Sequence, residues 1–164
     1  MLRKENNHEN IVWTRIDDRL IHGQVMTQWI QHADANEVVI IDDGVAKDAF
    51  IQMIMKSSVP AKINLEIFNV ADGIDYLKGE DDGKKILVLV KTPDVLVALA
   101  DAGVKLESVN VGGIGAKAGR KTLYKNISTS EAENQDLRNL IDKGIKVFFR
   151  VVVSDSEELV EKYV

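Results

Sequence analysis

The sequence predicts a single-domain, three-layer α/β/α fold on a mainly parallel six-stranded sheet, and three observations carry that expectation. Short β-branched runs alternate with helix-length segments, the pattern of strands joined by crossover helices. Most of the runs are apolar at consecutive positions, as in Val38-Val39-Ile40-Ile41 and Ile86-Leu87-Val88-Leu89-Val90, which suits strands covered on both faces. A chain of 164 residues, 45% of them hydrophobic, buries one sizeable core and is short for two domains.

Taken in order, Met1 to Asn10 is polar and lacks the apolar stretch of a signal peptide. Residues 1–9 therefore read as a disordered lead-in or a cloning remnant, and residues 10–164 as the domain. Strands are expected at Ile11 to Ile16, Glu37 to Ile41, Lys62 to Phe68, Lys85 to Val90, Ser108 to Val111 and Lys146 to Val152. A helix beginning about Gly23 carries Val25, Met26, Trp29 and Ile30 inward, so a core role is expected for Val25 and Trp29. Thr92-Pro93-Asp94 opens a helix that runs to about Ala102, with Gly103 at its left-handed cap. Ser128 with Glu131, and Ser154 with Glu157, have capping-box spacing ahead of two more helices, and Gly144 ends the first of these. Asp81-Asp82 beside Gly83 reads as a turn.

Composition narrows the function. Twenty-one basic against 26 acidic residues leave a net charge of -5, which argues against a protein that binds nucleic acid by neutralising phosphates. With no cysteine, disulfide scaffolds, thiolate zinc sites and cysteine catalysis are excluded, and a reducing compartment such as the cytoplasm is expected. Apolar runs such as Ile86 to Val90 are strand-sized, far from the roughly 20 residues that span a bilayer. His8, His22 and His32 lack the spacing of a metal site.

Chemistry concentrates after the first strand, where ligand sites of open α/β sheets gather. That loop reads Arg15-Ile16-Asp17-Asp18-Arg19-Leu20-Ile21-His22-Gly23-Gln24. A nucleophilic histidine needs one ring nitrogen free and the other tied to an acceptor, which Asp17, Asp18 or a loop carbonyl supplies. A phosphoryl electrophile also needs positive potential: Arg15 and Arg19 offer guanidinium forks, and the helix start at Gly23 and Gln24 offers free backbone N–H groups. The structural alternative stays open: the aspartates cap the loop, the arginines pair with them, and His22 is an ordinary surface residue.

Elsewhere, Asp42-Asp43 follows the second strand; it either orients His22 or Arg19 or caps the next helix. Gly112 to Arg120 lacks the spacing of a phosphate-binding loop and reads as a wall of the same pocket, needing positive φ or close backbone approach, with Lys117 and Arg120 adding charge. A receiver-type phosphoacceptor is disfavoured, because an aspartate should end the third strand where this chain has Phe68-Asn69.

The segment Arg15 to Val25, with Trp29 beyond it, closely resembles the signature of IIB subunits of the mannose/fructose/sorbose family of the sugar phosphotransferase system. Three later blocks look like the family's in the same order: Val38 to Asp43 with Val45-Ala46, Leu89 to Val95, and Val109 to Gly113 with Gly119-Arg120. The resemblance covers Asn10 to the C-terminus. It implies a sheet of order 3-2-4-1-5-6 and a phosphoenolpyruvate-dependent protein-histidine:sugar phosphotransferase without a cofactor. His22 would accept a phosphoryl group from the phosphohistidine of a IIA subunit and pass it to a sugar arriving through membrane subunits IIC and IID. By similarity, Nδ1 of His22 is the acceptor atom, Arg19 stabilises the transferring group, Arg15 is a second clamp, and Asp18 belongs to the catalytic set. The chain would then be cytoplasmic and peripherally held at the membrane by IIC and IID. Three departures stand out: the longer lead-in, Gly44 where an acidic residue is common, and Ile114 where methionine is usual. A phosphorylation-sensing module that feeds no transport, and a small-ligand α/β protein without phosphoryl chemistry, are the competing functions.

Overall fold

The computed structural model describes residues 10–79 and 82–164; the lead-in expected at residues 1–9 and the Asp81 part of the expected turn lie outside them. In chain order the elements are β1 Ile11–Asp17, α1 Gly23–Ala33, β2 Glu37–Ile41, α2 Ala49–Ser58, β3 Asn64–Phe68, α3 Val70–Leu77, β4 Ile86–Val90 and α4 Pro93–Asp101. β5 Ser108–Gly113, β6 Lys121–Tyr124, β7 Ile127–Thr129, α5 Glu131–Asp142, β8 Lys146–Phe149 and β9 Glu158–Leu159 follow, with short 3-10 turns at Val45–Lys47 and Val160–Lys162.

The main sheet has the order β3-β2-β4-β1-β5-β8-β9. Its first six strands are parallel and reproduce the expected order, while β9 adds a seventh, antiparallel strand of two residues beside β8. Alternation of side chains explains the consecutive apolar runs. Val39, Ile41, Val88 and Val90 face a core with Leu77 of α3, Leu96 and Leu99 of α4, and Leu137 and Leu140 of α5. Val38, Ile40, Leu87 and Leu89 face the opposite core, under Met26, Trp29 and Ile30 of α1 and Ile51 and Met55 of α2. Every residue of β2 and β4 is buried, so these strands have no solvent face.

Side-chain caps set the starts of α2 and α3. Asp48 accepts from Ile51 N at 3.1 Å, and Asn69 accepts from Asp72 N at 2.7 Å, so Asn69 caps α3 where a receiver would need its aspartate. Gly103 and Gly144, at φ +93° and +84°, stop α4 and α5 as expected.

The capping box of α5 is formed by Ser130 and Glu133 rather than by Ser128 and Glu131. Ser128 is taken by the separate β6–β7 hairpin, where its N–H donates to Ile114 O at 2.9 Å. The expected last helix after Ser154 is absent; the chain makes turns, β9 and a 3-10 turn instead. β8 stops at Phe149 rather than Val152, because the carbonyls of Arg150 and Val151 turn inward to accept from Arg15. Asp82 pairs with Lys84 at 3.2 Å, beside Gly83 at φ +83°. Among the described residues, no helix is long and apolar enough to cross a membrane.

Because the six main strands are parallel, the loops after β1, β2, β4, β5 and β8 share one edge of the sheet. His22 sits on that edge.

Candidate functional site

β1 delivers three side chains to the site in a fixed order of depth. Arg15 pairs across the sheet with Leu89 on one side and Asn110 on the other, which holds it inside, at 1% exposed. Its Nη1 donates to Asn110 Oδ1 at 2.6 Å and to Arg150 O at 2.9 Å; Nη2 donates to Val151 O at 2.9 Å and to Asp17 Oδ2 at 3.3 Å. The guanidinium stacks 4.5 Å from the ring centre of Trp29. Burial pulls its pKa down to about 10, only partly offset by Asp17, so it stays cationic at neutral pH. The expectation that Arg15 clamps a phosphoryl group directly is not met, since its terminal nitrogens are engaged underneath the site.

Two glycines make room for this buried pair. A Cβ at Gly112 would fall 2.0 Å from Arg15 Cζ, and one at Gly113 would fall 2.9 Å from Asp17 Oδ1. The close approach expected of the glycine-rich stretch is therefore real, and its object is β1.

Asp17, also 1% exposed, is the carboxylate on which the loop is organised. Its Oδ1 accepts from the backbone N and from Nε of Arg19, both at 3.2 Å, and its Oδ2 accepts from Arg19 Nη2 at 3.3 Å. Arg19 is 53% exposed, so this fork holds a cation at the surface.

His22 follows two residues after Leu20, which takes the left-handed conformation at φ 56°. That bend aims the Leu20 carbonyl at the ring, 2.8 Å from Nδ1. A carbonyl only accepts, so Nδ1 carries the proton in this arrangement. Nε2 is buried 3.9 Å from Asp17 Oδ2, beyond a hydrogen bond, and has no hydrogen-bond partner among the described residues. Of the three acceptors weighed for the imidazole, the loop carbonyl is the one used.

Asp18 points elsewhere. It accepts from Gly115 N at 2.8 Å and from Arg120 Nη1 at 3.4 Å, tying the β5–β6 loop to the β1 loop rather than holding His22. Arg120 is 4% exposed and engaged by Glu133 through two bonds of 2.8 Å, so the expected free charge at that position is neutralised. Burial alone would raise the Glu133 carboxyl, but Arg120 and the Ser130 N–H outweigh it and hold it below the usual range.

Gly23 and Gln24 are exposed at the start of α1, and no side chain caps that end, so its first N–H groups are open. Asp42 accepts from Val45 N at 2.9 Å and Asp43 from Val70 N at 2.9 Å; both fasten backbone and neither orients His22 or Arg19. Lys117 is exposed on the same edge. Val25 packs on the core and Trp29 lies inside it, as expected.

Asn110 and Arg150 were not anticipated as parts of the site. An asparagine inside an apolar strand was the available signal, because a buried amide must find partners. Asn110 binds Arg15, Trp13 and the Arg150 carbonyl.

The site as a whole is a quarter-exposed imidazole beside a fixed guanidinium and an open helix end, arranged to receive a small anion. The family described as PTS system sorbose subfamily IIB component matches residues 11–164. The PTS system fructose-specific EIIB component of Bacillus subtilis strain 168 is 32% identical over 150 residues, covering 91% of this chain and 92% of that protein. The PTS system mannose-specific EIIAB component of Escherichia coli K12 is 30% identical over 151 residues, covering 92% of this chain and 47% of that protein. The crystal structure of the IIBSor domain of the sorbose permease from Klebsiella pneumoniae superposes with a TM-score of 0.90 at 28% identity, covering 94% and 95% of the two chains. The fold, the loop after β1 and these relatives agree, and the chain belongs to the sorbose subfamily of IIB components of the sugar phosphotransferase system.

Proposed function

We propose that this chain carries a phosphoryl group on His22, taking it from the phosphohistidine of a IIA partner and passing it to a sugar brought by IIC and IID at the membrane. The single observation that supports this most is the pairing of a partly exposed, 25% accessible His22 with the locked cation of Arg19. In the first step the N–P bond of the donor breaks as a lone pair of the His22 ring forms a new one. In the second that bond breaks with its electron pair returning to the ring, a sugar hydroxyl oxygen forms the O–P bond, and the hydroxyl proton ends on the freed imidazole.

Such transfers need little covalent help, so rate comes from in-line positioning and from charge stabilisation on the equatorial oxygens. Arg19 and the open N–H groups at Gly23 and Gln24 are suited to that work. Arg15 supports the site from below, and Asp18 braces the neighbouring loop. If Nδ1 is the acceptor atom, as the resemblance implies, the bond from Nδ1 to the Leu20 carbonyl opens and the proton moves to the other nitrogen before attack. Exposure on a loop at the sheet edge also suits a carrier that two different partners reach in turn.

The test is incubation with phosphoenolpyruvate, the general phosphotransfer proteins and the cognate IIA. It should give one acid-labile phosphate per chain, none on His22→Ala, and transfer to sugar with membranes holding IIC and IID. Phosphate that is taken up but never passed to sugar would favour the sensing module.

A further inference from the structure

We propose that Asp17 is a positioning residue of the phosphoryl site, acting through Arg19 and not through the histidine; this rests on the reading of His22 as the phosphoryl carrier.

The carboxylate has about four acceptor directions, and the four that are used all go to arginine or to the Arg19 backbone. Oδ1 holds Arg19 N and Nε; Oδ2 holds Arg19 Nη2 and Arg15 Nη2. Nε2 of His22 is left at 3.9 Å without a hydrogen bond, so the arrangement differs from a carboxylate that orients a catalytic imidazole.

Arginine has a long side chain with many rotamers, and at 53% exposed Arg19 would be free to wander over them. Asp17 removes that freedom at three points, the backbone N, Nε and Nη2. Nη1 of Arg19 has no hydrogen bond among the described residues. The grip thus spends the inner edge of the guanidinium and presents the outer one, which is the edge a phosphoryl oxygen needs.

Asp17 is itself held from behind. Arg15 fixes one oxygen, and the missing Cβ of Gly113 lets the other lie where a methyl group would collide with it. Arg15, Asn110 and the carbonyls of Arg150 and Val151 anchor the assembly to β5 and to the chain after β8. Rigid support of this kind keeps a transferring group within reach of its cation.

Single-turnover transfer from phospho-IIA, measured on the full chain, tests this with a double-mutant cycle of Asp17→Asn and Arg19→Gln. Asp17→Asn should slow the maximal rate at least tenfold and shift the apparent KM for phospho-IIA by less than twofold. In the Arg19→Gln background it should add less than a twofold loss. Gly113→Ala, which displaces the carboxylate without removing its charge, should slow transfer in the same way; it carries the test if Asp17→Asn does not fold. An Asp17→Asn rate equal to wild type, or an equal loss with and without Arg19, overturns the proposal, as does a folded Gly113→Ala that transfers at full rate. Proton NMR of Arg19 Nε–H supplies a readout independent of transfer: a slowly exchanging resonance is expected in wild type and should be lost in Asp17→Asn. Should wild type take no phosphate at all, the reading of His22 fails. The resonance then decides the Asp17–Arg19 link separately: its absence in wild type, or its persistence in Asp17→Asn, overturns that link.

Discussion

The guanidinium of Arg15 lies against the bare Cα of Gly112, so closely that a Cβ there would fall 2.0 Å from Cζ. Arg15 is 1% exposed and makes four hydrogen bonds, so it cannot yield without breaking them. Gly112→Ala is expected to lose about 2–4 kcal/mol, from overpacking plus strained polar contacts. Gly115→Ala, where the new Cβ would meet Asp18 Oδ2 at 3.4 Å, should stay within about 0.5 kcal/mol. Urea unfolding of the two variants beside wild type measures the difference.

Arg19 offers a planar fork that lysine lacks. Arg19→Gln should cut the rate of phosphoryl transfer about 10²–10³-fold, the usual cost of removing one preorganised charge-stabilising donor. Arg19→Lys should recover only part of it, since an ammonium cannot hold both Asp17 oxygens and still present a free edge. Rapid-quench kinetics with phospho-IIA reads both variants.

The Arg120–Glu133 pair gives the protein an acid-sensitive contact. The folded pKa of Glu133 lies below its ordinary 4.5, so the pair's contribution is fully present above about pH 4.5 and is lost as pH falls through the folded value. Glu133→Gln should cost on the order of 1–3 kcal/mol at pH 7, and its deficit against wild type should shrink below pH 4.5. Denaturant titrations between pH 7 and pH 3 check the sign.

The sheet was legible because both of its faces are covered: a strand such as Val38-Val39-Ile40-Ile41 must send alternate side chains into two cores. Element ends were less so, since distant partners decide them. Ser128 and Ser130 both stand three residues ahead of a glutamate, and the choice falls on Ser130 because the N–H of Ser128 is already bonded to Ile114 O. β8 stops early for a similar reason, as Arg15 draws on carbonyls 135 and 136 residues away. His22 and Arg19 were legible as a local cluster. The contrast between the two arginines was not, because Arg15 is buried by Asn110, Trp29 and the chain after β8, none of them near it in sequence.

Trp29 is wholly buried, stacked 5.3 Å from Trp13 and 4.5 Å from the Arg15 guanidinium. Trp29→Ala removes the surface on which Arg15 rests as well as a large part of the core under α1. A loss of about 3–5 kcal/mol is expected. Thermal unfolding by circular dichroism should show it as a large fall in Tm.

The most direct measurement is intact-protein and peptide mass spectrometry, under neutral conditions, after incubation with phosphoenolpyruvate, the general phosphotransfer proteins and the cognate IIA. One added phosphate on the peptide containing His22, released by acid and missing from His22→Ala, is the predicted result. No phosphate on wild type, or an equal uptake by His22→Ala, would contradict the account.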